Sequence, residues 1–141
     1  MTFSRKVRQM LREESYKTAF QTRLDPDSQS AEAWLTTAGG GYVAAGVGGG
    51  ITGKGAHILL IDDPVKNRDD AESQNNREAN WDWYTSTAYT RLAPGGGVLV
   101  IMTRWHDDDL AGRLLKADAE GGDQWELVRY PAIAEEDEEY R

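Results

Sequence analysis

Asp62 and Asp63 are the residues of this chain best placed to do chemistry. They end the apolar run Ile58-Leu59-Leu60-Ile61 and are followed by Pro64. A short run of β-branched and Leu residues bounded by polar ones reads as a buried strand of a parallel sheet. Carboxylates at the carboxyl end of such a strand sit where open α/β sheets bind their ligands. In nucleotide hydrolases that position holds Mg²⁺ and orients the attacking water, the Walker B arrangement. Two adjacent carboxylates repel each other unless a cation offsets them, which favours a function over a solvated strand end.

Thr103 and Arg104 form the second candidate pair. They follow the apolar run Val98-Leu99-Val100-Ile101-Met102, one strand beyond Asp62. A threonine hydroxyl there can bond a phosphate or the attacking water, and an arginine can pair with phosphate or with an acidic neighbour. Asp107-Asp108-Asp109 reads as the cap of a helix, stabilised by the helix dipole, in preference to a metal cluster. His57 and His106 have no partner histidine at metal-ligand spacing, so no zinc site is expected. The glycine-rich segment 46–55 imitates a phosphate loop. A true one needs Ser or Thr after Gly-Lys and must open a helix. Here Gly55 follows Lys54, and two residues later the strand begins, so the segment reads as a turn.

The elements that must position these groups follow from periodicity. Residues 2–14 read as a helix, with Thr2 or Ser4 as cap and Phe3, Val7, Met10 and Leu11 on one face. Residues 16–27 read as irregular, and Asp25-Pro26-Asp27-Ser28 as a turn. Residues 33–37 and 42–45 flank Gly39-Gly40-Gly41 and predict a hairpin. Asp69 and Asp70, with Glu72 three residues after Asp69, predict the start of a long helix over 71–92. Trp81, Tyr84 and Ala88 fall on one face of it, extended by Leu92. Pro94-Gly95-Gly96-Gly97 should end that helix before the strand at 98–102. Strand, crossover helix and strand then make a βαβ unit. Asp107-Asp108-Asp109 caps a further helix with Leu110, Leu114 and Leu115 inward, and 124–130 reads as a last strand.

At 141 residues the chain can bury a real core. It has no cysteine, so neither disulfides nor thiolate metal sites arise. Its apolar runs are too short to span a bilayer, and no secretory signal opens it; a soluble, intracellular protein is expected. The net charge of −8 is uneven. Residues 135–139 are all acidic, whereas Arg5, Lys6, Arg8, Arg12, Lys17 and Arg23 face only Glu13 and Glu14 in the first 24 residues. Contact with nucleic acid would have to be local. A solvated helix face has the same composition, so charge alone decides nothing.

These residues together resemble the large terminase subunit of tailed phages. The resemblance runs through Gly53-Lys54-Gly55-Ala56-His57 into 58–66, then Trp81-Asp82-Trp83-Tyr84, Arg91-Leu92, and the block 98–112 with Thr103-Arg104-Trp105-His106 at its centre. Trp34-Leu35-Thr36-Thr37-Ala38-Gly39-Gly40 is similar to the segment before Walker B in that family. Tyr130-Pro131-Ala132-Ile133-Ala134 is similar to the start of its link to a nuclease domain. The resemblance implies an α/β fold with a mainly parallel sheet of P-loop NTPase (RecA/ASCE-like) type, incomplete, with a β-hairpin insertion. It implies a motor that couples ATP hydrolysis to translocation of double-stranded DNA into a prohead, and whose full-length form also cuts concatemers.

By the same resemblance ATP and Mg²⁺ are the cofactors. Asp62 holds the metal, Asp63 occupies the catalytic-acid position and shares in cofactor binding, Thr103 is the coupling residue and Arg104 joins the catalytic set. The implied partners are phage DNA, a portal protein, a small terminase subunit and further copies in a ring, with no membrane. The implied place is the host cytoplasm, transiently docked at the prohead portal. Two departures stand out. Many relatives carry Glu where this chain has Asp63, which is shorter by about 1.5 Å. Neither a phosphate loop nor a nuclease domain is expected, so residues 1–134 read as a partial ATPase domain and 135–141 as an acidic linker. Such a chain alone should bind ATP weakly or not at all and tend to self-associate through the open edge of 98–102. Two other readings are a non-catalytic nucleic-acid or assembly module, and a two-metal nuclease using Asp62, Asp63 and 107–109.

Overall fold

The computed structural model describes residues 3–49, 51 and 53–130. Thr2 as a cap, Gly50 and Thr52 of the glycine-rich segment, the linker from Pro131 and the acidic run 135–139 lie outside them. The described residues form a mixed α/β structure with two sheets. A three-stranded antiparallel sheet of order β1-β2-β3 comes first, and a two-stranded parallel sheet, β4-β5, follows.

The N-terminal region is α1 (Phe3–Met10), α2 (Glu14–Ala19), β1 (Leu24–Gln29), β2 (Ala33–Thr36) and β3 (Gly41–Val43). α1 is shorter than the expected helix and turned differently. Ser4 is buried, whereas Phe3 and Met10 of the expected inner face are exposed. The reason is polar: the buried Trp34 indole N–H needs an acceptor, and Ser4 Oγ accepts it at 3.2 Å. Trp34 also stacks on Tyr42, ring centroids 5.2 Å apart. The hairpin forms as expected, with Ala33 opposite Val43 and Leu35 opposite Gly41. Its turn closes through Gly39, whose φ of +82° suits glycine.

The segment expected to be irregular contains α2 and then β1, which runs straight through the proline turn signal. That signal survives inside the strand. The β1–β2 register shifts between Leu24 and Gln29, Pro26 has no N–H to offer, and the Asp27 N–H turns back to Asp25 Oδ1 at 2.8 Å. The turn became a bulge.

The second region holds β4 (Ala56–Asp62), α3 (Arg68–Glu72), α4 (Gln74–Trp83), a π-helical turn (Tyr84–Ala88), a 3₁₀ turn (Tyr89–Arg91), β5 (Leu92–Ile101) and α5 (Leu110–Ala119). β4 and β5 are parallel, with Leu59 opposite Val98 and Ile61 opposite Val100. The expected long helix is broken. Asn67 caps α3 by accepting the Asp70 N–H at 2.9 Å, and Ser73 caps α4 by accepting that of Asn76 at 3.4 Å. These two, not Asp69 and Asp70, satisfy the first-turn donors. β5 starts at Leu92 and passes through Pro94 and the three glycines, with Gly95 at φ +76°. A side chain at Gly96 would crowd the His57 carbonyl of β4.

The core lies on one side of this parallel pair: Ile61, Tyr84, Ala88, Leu110 and Leu114, with Trp81 packed against it. The Trp81–Tyr84–Ala88 stripe thus faces inward as expected. Two polar atoms at this core, Tyr84 Oη and Trp83 Nε1, are buried without a hydrogen-bond partner among the described residues, and burial pushes the Tyr84 hydroxyl up to about 12.

The other side of the pair departs from expectation. Strands read as buried on both faces instead alternate, and Ile58 (75%), Leu60, Leu99 and Ile101 are exposed. Among the described residues β4 and β5 pair only with each other, so each has an open edge. Residues 124–130 form no strand; Leu127, Val128 and Tyr130 are exposed. Among the described residues no strand offers them a ladder, and the Trp125 N–H bonds Asp118 Oδ2 at 3.1 Å instead.

Candidate active site

The parallel strands determine where the candidate side chains meet. β4 ends at Asp62, and one residue further the Asp63 N–H donates to the Ile101 carbonyl at 2.9 Å. The chain then leaves the sheet with Asp63 at φ +42°, the one left-handed non-glycine residue among those described. Asp and Asn occupy that region more readily than most residues because their short polar side chains bond locally. Asp63 does so across the sheet: its Oδ1 accepts the Thr103 N–H at 3.2 Å. Asp62, Asp63 and Thr103 are all exposed and stand at the carboxyl end of two adjacent parallel strands. No hydrogen bond engages the Asp62 carboxylate or the Thr103 hydroxyl among the described residues.

Arg104 points to a different task. Its Nε donates to Asp109 Oδ2 at 2.8 Å, and the Asp109 side chain is fully buried. The other oxygen of that carboxylate accepts the Gly112 N–H at 2.9 Å. Asp109 is therefore the helix cap expected of this acidic group and an ion-pair partner at once. Position 112 must stay small, because a Cβ there would overlap the Asp107 carbonyl.

Asp108 has its own role. It accepts Arg113 Nε and Nη2 at 2.8 and 2.7 Å and Arg77 Nε of α4 at 3.2 Å. Arg113, reinforced by Arg77 and opposed by partial burial, holds its carboxyl down at about 2. The His106 Nδ1 accepts the Asp108 N–H at 2.9 Å, which folds the loop back after Thr103. With Asp109 buried and Asp108 clamped by two arginines, 107–109 is not a group of free ligands. Among the described residues no three His, Cys, Asp or Glu side chains gather to hold a metal ion.

Beside the strand ends the loop walls an open groove of about 430 Å³, lined by Glu72, Arg104, Trp105, His106 and Asp107. Residue types alone gave no sign of it, since Glu72 comes from the crossover helix. The Asp63–Thr103 bond was equally hidden, because its donor is a backbone amide. The described residues of the glycine-rich segment, 46–49, 51 and 53–55, include no helical residue; Gly48 and Gly53 have positive φ, and β4 follows at Ala56.

Compared with known families, residues 1–141 match the family of the terminase large subunit, T4-like-virus type, N-terminal. No curated protein and no solved structure matches the chain.

Proposed function

The chain belongs to the T4-like terminase large-subunit family, and from that premise we propose that it is the part of a packaging ATPase running from the Walker B carboxylates to the coupling motif. Family membership carries a role in phage DNA packaging. The ATPase reading rests on one observation: Asp63, just beyond the first parallel strand, accepts the N–H of Thr103, just beyond the second, at 3.2 Å, joining two candidate groups at the sheet's ligand-binding end. On this reading the parallel pair is a section of a P-loop NTPase sheet, residues 1–134 are the ATPase part and 135–141 a linker.

The donors suit the implied cation. Mg²⁺ favours one or two carboxylates together with water and phosphate oxygens, and Asp62 is an exposed carboxylate with no competing partner among the described residues. Bound with ATP, Mg²⁺ would neutralise charge on the phosphate oxygens. The rest falls to the chain. Asp62 supplies the anchoring carboxylate. Asp63, with Oδ1 committed to Thr103, has Oδ2 left to orient the attacking water. The Thr103 hydroxyl is left to bond a phosphate oxygen, and any shift of Thr103 is felt at Asp63 through their hydrogen bond. Arg104, tied to Asp109, suits a positioning role for the loop. In the whole motor, ATP turnover would drive double-stranded DNA through the portal into the prohead, with the small subunit and further copies of the large one in a ring at the portal, in the host cytoplasm, and concatemers cut by the full-length protein.

In the large subunit carrying these residues together with a phosphate loop, Asp62→Ala is expected to lower ATP turnover about 10²-fold or more with an unchanged circular dichroism spectrum. Unchanged turnover in that folded variant overturns the assignment.

A further inference from the structure

The N-terminal helix carries a surface whose chemistry is the opposite of the strand ends. α1 contains Arg5, Lys6 and Arg8 and no acidic residue. The Leu11 N–H bonds the Val7 carbonyl at 3.2 Å and the Arg12 N–H bonds the Gln9 carbonyl at 2.9 Å, so Arg12 sits in the turn that ends the helix. Arg5, Arg8, Gln9 and Arg12 line one open groove of about 370 Å³, because positions three, four and seven apart share a helix face. Two contacts fix how that face is presented. Ser4 turns inward to Trp34, and Arg8 Nη1 donates to the Ser30 carbonyl at 2.7 Å. This row stands in a chain whose net charge is −8, so its sign is local.

We propose that the row Arg5–Arg8–Gln9–Arg12 is a contact surface for the phosphate backbone of double-stranded DNA. The identity of the polyanion rests on the packaging reading above; the surface itself rests on the groove. Each phosphate of a duplex carries one negative charge, so three arginines can neutralise about three phosphates. A guanidinium suits this ligand because its fixed fork gives two parallel hydrogen bonds to phosphate oxygens. Gln9 adds an amide donor. Contacts of this kind hold and orient a duplex without reading its sequence, which is what a protein that moves along DNA requires.

The test uses the full chain, without nucleotide, and a labelled duplex of about 30 base pairs followed by fluorescence anisotropy. Three phosphate contacts predict that affinity falls about 40-fold as salt rises from about 50 to about 200 mM. With Arg5→Ala and Arg12→Ala together, the same salt change should cost only about 3.5-fold, with circular dichroism and Trp fluorescence unchanged. Asp62→Ala should bind the duplex like the wild type, so failure of the nucleotide-site reading shows in turnover and failure of this surface shows here. Absence of duplex binding at the lower salt overturns the proposal. So does a double variant that keeps the wild-type salt dependence. Polyglutamate competing as well as duplex at equal charge overturns it too, by making the face a site for acidic protein.

Discussion

The antiparallel sheet and the parallel pair both cover one face, and they do it with different resources. β1, β2 and β3 are joined by short connections, and the buried centre of that region is a single indole: Trp34, stacked on Tyr42 and bonded to Ser4. The parallel pair cannot be closed by a hairpin. Its strands are separated by α3, α4 and two further helical turns, and that connection provides the core, Tyr84 and Ala88 against Ile61, with α5 adding Leu110 and Leu114. Only the second arrangement brings two strand ends of the same polarity together. The region with the costlier connection is therefore the one able to hold Asp63 and Thr103 side by side, while the region built from local contacts presents a charged helix face.

This contrast predicts unequal sensitivity to mutation. Leu114→Ala should have the largest effect, about 2–5 kcal/mol of stability, read by denaturant unfolding with Trp fluorescence. Ser4→Ala should cost less, about 1–2 kcal/mol, because it strands the Trp34 N–H without opening a cavity. If the Ser4 variant is the more damaged of the two, the claim that the core sits in the parallel region is wrong.

The smallest effect should come from Asp108, the tie between α4 and α5. Its carboxyl is held at about 2 in the folded chain, below the unfolded value near 3.9. Its contribution is therefore complete above about pH 4 and is lost as pH falls toward 2. Because the side chain is 47% exposed, solvent screening keeps it under about 1 kcal/mol. Wild type and Asp108→Asn should differ in melting temperature at neutral pH and converge near pH 2. A gap that persists at pH 2 would locate the effect in packing instead.

What the sequence made legible was what period and punctuation determine. The runs 58–61 and 98–102 announced strands, the helical stretch between them required a parallel pairing, and Asp62, Asp63 and Thr103 were candidates because they end those runs. The hairpin at Gly39 and the cap at Asp109 were legible for the same reason. The rest depended on partners a linear reading does not supply. Ser73 breaks the crossover helix because its hydroxyl found the Asn76 amide, and Ser4 faces inward because Trp34 needed an acceptor. The proline segment is a strand because β2 lay beside it, whereas 124–130, of suitable composition, had no strand beside it among the described residues. The apolar outer face of the pair could not be foreseen, since Ile58 and Leu60 look no different from Leu59 and Ile61.

The π-helical turn at Tyr84–Ala88 has a consequence for chain length. Such a turn holds about one residue more than an α-turn, and wide turns occur as single interruptions inside α-helices. Here the surplus faces water: Thr85 and Ser86 are exposed, while Tyr84 and Ala88 at either end are buried. Residues three apart share a helix face as residues four apart do. The segment could thus lose one residue without either buried contact changing sides. Insertions and deletions are usually confined to loops; in this molecule the connection between the two parallel strands has an adjustable joint inside its helix.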